Sequence, residues 1–250
     1  MMPFRPYLAL ALAALFAPYA HAGEVRAAVA ANFAAPMQRI AAEFEKDTRH
    51  KAIMAFGATG AFQTQIANGA PFDVLVAADE ATPARLEALQ LSVPGTRLTY
   101  ATGRLVVWSS RPGVVDGQGR VLSEGRFSHL AIASPKLAPY GAAAMEAIAN
   151  LKLGRSLQPK LVQGANIAQA YQFVATGNAE LGFVALSQVW HDGRLIGGSG
   201  WIVPASFHAP IRQDAMLLAP GAANPAARAL MDYLKSRKAV DIIRSYGYER

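Results

Sequence analysis

The chain has 250 residues, of which 52% are hydrophobic and 16% are charged, and it contains no cysteine. A chain of this length and apolar content can bury a large core, which excludes disorder as its main state. The lack of cysteine excludes disulfides, thiolate metal ligands and a cysteine nucleophile. The formal net charge of +7 is compatible with nucleic acid or a small anion as the partner.

The first 22 residues have the pattern of a secretory signal peptide. Arg5 is the one Lys, Arg, Asp or Glu in this stretch, an apolar run extends over residues 7–16, and Ala20-His21-Ala22 places small residues where signal peptidase cleaves. Later segments lack the ~18 to 20 uninterrupted apolar residues of a transmembrane helix. We therefore predict cleavage after Ala22 and export of a soluble chain to the periplasm.

Strand and helix patterns alternate along the rest of the chain, as in a mainly parallel sheet covered by helices. The first block contains predicted strands at 24–30, 52–56 and 73–77. Predicted helices follow them, the first with Met37, Ile40, Ala41 and Phe44 on its apolar face, the second through Phe62 and Ile66, and the third over 83–89.

A second block of alternation begins near residue 105. It contains predicted strands at 105–108, 130–133, 161–163 and 181–185, predicted helices at 140–151 and 167–175, a surface excursion at 111–125 and a loop or crossover at 192–200. The tail contains a strand at 211–218 and a helical stretch at 225–245, with Asn224 as its N-cap and Gly247 after its end. We predict a first lobe of residues 23–104 and 212–250, and a second lobe of residues 105–211.

Enzyme motifs are not apparent in the sequence. Gly57-Ala58-Thr59-Gly60 follows a predicted strand, but it has neither the Lys of a phosphate-binding P-loop nor the third Gly of a dinucleotide fingerprint. No serine has the glycine-flanked setting of a hydrolase nucleophile, and no two histidines have the i, i+4 spacing of a helical metal site. We therefore expect a protein that is not an enzyme and has no catalytic cofactor.

Four predicted helices begin with a segment that carries a small hydrogen-bonding residue. These segments are Ala31-Asn32-Phe33, Ala58-Thr59-Gly60, Pro139-Tyr140-Gly141 and Ala165-Asn166-Ile167. The first turn of a helix has unpaired N–H groups and a partial positive charge, so it can bind an anion without a cationic side chain. A single segment of this kind is explained by ordinary helix N-capping. Four of them, two in each lobe, predict a cleft around one small oxyanion.

With these segments the sequence resembles the periplasmic molybdate-binding proteins of ABC importers over essentially the whole mature chain. The resemblance is carried by residues 31–33, 57–60 with Gln65-Ile66, 69–74 with 78–80, 133–135 with 138–141, and 180–184. It implies a type II periplasmic binding-protein fold: two α/β domains with mixed sheets, joined by a two-strand hinge. It also implies that the lobes close over molybdate or tungstate and that a membrane permease is the partner of a monomeric protein.

The resemblance further implies the ligand-binding residues Ala31, Asn32, Thr59, Tyr140 and Ile167. The Asn32 side chain and backbone, the Thr59 hydroxyl and N–H, the Tyr140 hydroxyl and the Ile167 N–H would contact the oxygens of the ion rather than its metal atom. Alanine stands at 31 and 58, where hydroxyl residues are common, so donors there come only from the backbone. Ala185 stands where some members have tyrosine, and Tyr140 supplies the tyrosine instead.

Three alternatives follow from the residues alone. The same fold could bind sulfate, phosphate or a small carboxylate; the chain could be an exported hydrolase; or its charge could serve a polyanion. The arrangement of the basic residues argues against a polyanion. The one local basic cluster shares its predicted helix with Asp232 and Asp241, and it consists of Lys235, Arg237 and Lys238. This is the composition of a solvated helix face, and we expect no nucleic-acid partner.

Overall fold

The computed structural model describes residues 22–249, so the predicted signal segment lies outside the described residues except for Ala22. The strands are β1 Glu24–Ala30, β2 Lys51–Gly57, β3 Val74–Val76, β4 Leu98–Gly103, β5 Leu105–Ser109, β6 Leu130–Ala133, β7 Leu161–Gly164, β8 Leu181–Ala185, β9 Trp190–His191, β10 Arg194–Leu195, β11 Ser199–Ile202 and β12 Ile211–Leu217. The α-helices are α1 Ala34–Thr48, α2 Thr59–Ala67, α3 Ala81–Ala88, α4 Val121–Glu124, α5 Pro139–Asn150, α6 Gly154–Leu157, α7 Ile167–Ala175, α8 Pro225–Tyr233 and α9 Arg237–Ser245. None of the described helices has the length and apolar content to span a bilayer.

The first sheet has the strand order β2-β1-β3-β12-β4. β1 runs parallel to β2 and β3, whereas β12 runs antiparallel to β3 and β4. One core cluster joins this sheet to α1, α8 and α9, through residues such as Phe44, Leu230 and Ile243. A separate cluster contains Phe62 and Leu86 of α2 and α3. Helices therefore cover both faces of a mixed sheet, which explains the continuous burial of β3.

The second sheet has the strand order β11-β5-β8-β6-β7. β6 runs parallel to β7 and β8, and β5 runs antiparallel to β8 and β11. Its core contains the small residues of α5, among them Ala144 and Ala147, and the apolar face of α7 with Ala170 and Val174. The fold class predicted from the sequence, α/β with two mixed sheets, is confirmed.

The chain passes between the two sheets twice. It leaves the first sheet after Gly103 and enters the second at Leu105, and it returns between β11 and β12. Two points stay predictions: the hinge role of these two crossings, and the lobe boundaries at residues 104, 105, 211 and 212.

Several segments differ from the sequence prediction, among them the short helices α4 and α6, which the sequence analysis did not predict. β4 was not predicted because Thr99, Thr102 and Gly103 blur its apolar alternation, and its pairing with β12 makes it a strand. The predicted helical stretch 225–245 is divided into α8 and α9, since the Ser236 side chain accepts a hydrogen bond from the Ala239 N–H and begins a new helix. The predicted loop or crossover at 192–200 contains β10 and the start of β11.

Candidate functional site

Four helix starts from the two halves of the molecule meet at one cavity. A 3-10 turn at Ala31–Phe33 follows β1, α2 follows β2, α5 follows β6, and α7 follows β7. The lining residues are Ala30, Ala31, Asn32, Gly57, Ala58, Thr59, Ala78, Ala138, Pro139, Tyr140, Asn166 and Ile167. The structure therefore brings all five predicted ligand-binding residues to the same place. Their contacts with a ligand stay a prediction.

The cavity is small, about 10 Å³, and its polar lining residues Asn32, Thr59 and Tyr140 are buried. Asn32 is 3% exposed, and Thr59 and Tyr140 are each 1% exposed. A charged group held here is shielded from water, which strengthens each hydrogen bond it accepts.

Direct hydrogen bonds between the two halves close the cavity. The Gly60 N–H at the start of α2 donates to the Leu137 carbonyl, which precedes α5, at 2.9 Å. The Ser187 hydroxyl, after β8, donates to the Asn32 carbonyl at 2.7 Å. The two sides of the cavity are therefore in contact, as expected for lobes closed over a ligand site.

Two hydroxyl groups in the lining each accept a hydrogen bond from the protein. The Ala78 N–H donates to Thr59 Oγ1 at 3.0 Å, and Gln213 Nε2 donates to Tyr140 Oη at 3.0 Å. A hydroxyl that accepts from a fixed donor keeps its own hydrogen for another partner. Both groups can therefore donate a hydrogen bond into the cavity.

The tyrosines at and behind the cavity remain protonated at neutral pH. Burial, with a further contribution from Tyr248, raises the pKa of Tyr140 well above the ordinary phenol value. Burial also raises the pKa of Tyr100 strongly and that of Tyr248 to about 12. Each phenol thus keeps a hydrogen to donate.

The side-chain amide of Asn32 is engaged within the protein. Its amide nitrogen donates to Gln213 Oε1 at 2.8 Å and to Tyr248 Oη at 2.9 Å, so both amide hydrogens are used within the protein. Donation by this side chain to a ligand would need one of these internal hydrogen bonds to be exchanged, and it stays a prediction. The backbone N–H of Asn32, at the start of the 3-10 turn, is the donor that this position still offers.

Asn166 and Ile167 form the fourth helix start. Asn166 Oδ1 caps α7 by accepting from the N–H groups of Ala168 and Gln169, at 3.0 and 3.1 Å. The cap does not engage the N–H of Ile167, the first residue of the helix. The positive end of the α7 dipole and this N–H therefore lie at the cavity.

The lining is uncharged although the chain is basic. Its twelve residues include no Lys, Arg, Asp, Glu or His. Within residues 22–249, no group of three or more His, Cys, Asp or Glu side chains could hold a metal ion. The arrangement suits a ligand that is recognised by accepting hydrogen bonds.

Sequence reasoning missed the polar residues directly behind the lining. These are Tyr100, Ser187, Gln213 and Tyr248, all buried and all hydrogen-bonded to Asn32, to Tyr140 or to one another. One signal was available: strand β12 pairs on both sides, yet it contains the adjacent polar residues Gln213 and Asp214 directly after Arg212. A polar pair in such a strand predicts buried partners.

Two mixed α/β sheets, with helix starts from both around a closed, hydrogen-donating cavity, define a two-lobed ligand-binding protein. The family described as bacterial extracellular solute-binding protein matches residues 25–249. The chain belongs to this family.

Relatives with assigned names support a narrower comparison. The molybdate-binding protein ModA of Azotobacter vinelandii is 61% identical over 236 residues, which cover 94% of either chain. ModA of Rhodobacter capsulatus is 51% identical over 240 residues, 96% of this chain and 94% of that one. The solved Azotobacter vinelandii periplasmic molybdate-binding protein matches with a TM-score of 0.88 at 38% identity, over 90% of this chain and 99% of that chain. These comparisons confirm the predicted resemblance to molybdate-binding proteins.

Proposed function

We propose that this chain binds molybdate in the cavity and delivers it to the membrane permease of an ABC importer. The names of two relatives, at 61% and 51% identity over nearly the whole chain, support this ligand. The chemistry of the cavity supports it independently.

The observation that carries the proposal is the direction of the hydrogen bonds at Thr59 and Tyr140. Because each hydroxyl oxygen already accepts from the protein, each hydroxyl can donate its hydrogen to a ligand in the cavity. Molybdate at neutral pH is a dianion with four acceptor oxygens and no hydrogen. A cavity lined by donors matches it without a contacting Lys or Arg.

The proposed contacts are spread over the four helix starts. The backbones of Ala31 and Asn32, the hydroxyl and N–H of Thr59, the hydroxyl of Tyr140 and the N–H of Ile167 would donate to the oxygens. Hydrogen bonds to a charged partner contribute about 1.5–3 kcal/mol each. A few of them offset the costs of association and closure and reach the ~8.2 kcal/mol of micromolar binding.

Selection among tetrahedral dianions would follow from size. The metal–oxygen bonds of molybdate and tungstate are longer than the sulfur–oxygen bonds of sulfate. A closed cavity that fits molybdate and tungstate would therefore fit sulfate less well. We therefore include tungstate as a second ligand.

Several other properties belong to the same proposal. The protein would be exported to the periplasm with cleavage after Ala22, act as a monomer without enzymatic activity, and close by movement of lobes 23–104 with 212–250 and 105–211 about the two strand crossings. The periplasmic relative with a TM-score of 0.88 supports the location.

A panel of oxyanions tests the ligand. Thermal unfolding of the chain from residue 23 onwards is measured with molybdate, tungstate, sulfate and phosphate. A ligand at 100 times its Kd stabilises the folded state by ~2.7 kcal/mol, or about 5–11 °C for a chain of this size. We expect such a shift with molybdate and tungstate and a smaller one with sulfate. A shift with sulfate or phosphate and none with molybdate would refute the proposal.

Native mass spectrometry of the same protein tests the remaining points. We expect a monomer with one bound oxyanion, and small-angle scattering should show a smaller radius of gyration when molybdate is added. A stable dimer would contradict the proposed oligomeric state without affecting the ligand.

A further inference from the structure

Gln213 lies one layer behind the cavity, in the middle of the first sheet. It is fully buried on β12, between β3 and β4. Its Oε1 accepts from Asn32 Nδ2 at 2.8 Å and from Tyr100 Oη at 2.9 Å, and its Nε2 donates to Tyr140 Oη at 3.0 Å. One side-chain amide therefore joins two donors behind the site to the hydroxyl that lines it.

We propose that Gln213 is a positioning residue that holds Tyr140 as a hydrogen donor, and that it thereby makes the site select oxyanions that carry no proton. The inference rests on the proposed function, because it concerns how the same cavity distinguishes among dianions. Gln213 itself does not touch the ligand and acts through Tyr140.

The direction of the Gln213 amide decides the direction of the Tyr140 hydroxyl. If the side-chain amides of Gln213 and Asn32 were both flipped, so that oxygen and nitrogen exchange places, each hydrogen bond between them and Tyr140 would run in the opposite direction. Tyr140 would then donate to Gln213 and present its oxygen to the cavity. Tyr100 adapts to either direction, because its single hydrogen lies between Gln213 Oε1 and the Ala77 carbonyl, the latter at 2.8 Å. An oxygen facing a dianion is repulsive, so a bound anion favours the observed direction.

The site would distinguish molybdate from hydrogen phosphate by the O–H group that hydrogen phosphate carries, not by the charge of the ion. Molybdate and hydrogen phosphate are both dianions near pH 8, but hydrogen phosphate also carries one O–H. With Thr59 and Tyr140 both held as donors, that hydrogen meets other hydrogens and loses its partner on burial. A buried donor left without an acceptor costs more than a typical hydrogen bond contributes, so hydrogen phosphate binds more weakly.

The substitution Gln213→Met tests the proposal, since methionine keeps the length of the side chain and removes the amide. The neighbouring donors retain other partners, Tyr248 Oη for Asn32 and the Ala77 carbonyl for Tyr100, and the variant is expected to fold. Without the Gln213 donor, the Tyr140 oxygen can accept from hydrogen phosphate. We expect molybdate affinity to fall about three- to tenfold, and the preference for molybdate over hydrogen phosphate to narrow about tenfold.

The measurement is calorimetry with molybdate at pH 8, and competition by hydrogen phosphate against bound molybdate. Because both ions have the same charge, the ratio of their affinities isolates hydrogen-bond direction from electrostatic effects. Gln172→Met, the same substitution at an exposed position of α7, is the control and should leave both affinities unchanged.

A double-mutant cycle with Tyr140→Phe shows whether Gln213 acts through Tyr140. Tyr140→Phe removes the donor, and we expect about tenfold or greater loss of molybdate affinity. In that background Gln213→Met should change molybdate affinity by less than about twofold. A merely structural role for Gln213 predicts the same loss in both backgrounds.

Three results would overturn the inference while leaving molybdate as the proposed ligand: an unchanged affinity ratio in Gln213→Met, an equal loss with and without the Tyr140 hydroxyl, or full molybdate affinity in Tyr140→Phe. The last would indicate the inverse hydrogen-bond direction. Failure of the unaltered protein to bind molybdate would instead refute the proposed function, and with it this inference.

Discussion

The hydroxyl of Thr59 allows a quantitative test of the binding site. Thr59→Val replaces it by a methyl group at nearly constant shape. If the hydroxyl donates to a bound dianion, its loss removes a charge-assisted hydrogen bond of about 1.5–3 kcal/mol, which is about a 10- to 150-fold weaker Kd for molybdate.

The same substitution has a second effect that does not involve the ligand. The Ala78 N–H donates to Thr59 Oγ1 at 3.0 Å and is buried with it. Valine leaves this N–H without its acceptor, at a cost of about 1–3 kcal/mol in the free energy of unfolding. In a chain of this size the ligand-free Tm should fall by about 2–12 °C.

Calorimetry below the ligand-free Tm separates the two effects, and Thr59→Ser is the matched control because it keeps the hydroxyl. Serine should retain most of the affinity and most of the stability. A Thr59→Val protein with lowered Tm but unchanged molybdate affinity would refute the reasoning, since it would show that the hydroxyl serves only the Ala78 N–H.

Three further predictions concern packing and charge. A Cβ at Gly103 would collide with the Tyr140 hydroxyl and the Gln213 amide, so Gly103→Ala should lower both Tm and molybdate affinity. The control is Gly117→Ala, where a Cβ meets open space, and it should change neither quantity. A Cβ at Gly60 would lie 3.1 Å from the Leu137 carbonyl across the cavity entrance, so Gly60→Ala should weaken binding several-fold in calorimetry with little change in ligand-free Tm. Hydrogen bonds from a lysine and a tyrosine lower the pKa of Asp47, so its contribution to stability is present at neutral pH and lost as pH falls through the carboxyl range. The Tm difference between Asp47→Asn and the unaltered chain should therefore disappear in acid, and a difference that persists there would contradict the assignment.

Much of the fold could be predicted because its signals are local. The strands at 24–30, 130–133 and 181–185 and the helix at 167–175 have the predicted bounds. Their apolar periodicity depends only on residues a few positions apart. β4 escaped prediction for the opposite reason: its small and polar residues form a strand only because β12, more than a hundred residues later, pairs with it.

Part of the candidate site could also be predicted from local sequence signals, and part depended on distant residues. Helix starts with Asn, Thr and Tyr could be recognised, and the structure brings Ala31, Asn32, Thr59, Tyr140 and Ile167 to one cavity. The use of each polar atom could not be recognised. The sequence predicts that the Asn32 side chain donates to a ligand, and it could not show that this amide also donates to Gln213, 181 residues away, and to Tyr248, 216 residues away.

The sequence by itself therefore determined the α/β class, the alternation of elements and the four helix starts, since these follow from periodicity, capping residues and backbone N–H groups that every helix start possesses. Only the tertiary structure decided which way each hydroxyl faces. The donor to Thr59 comes from Ala78 and the donor to Tyr140 from Gln213, 73 residues beyond it. A hydroxyl can donate or accept, and the partner that tertiary folding places behind it selects between the two.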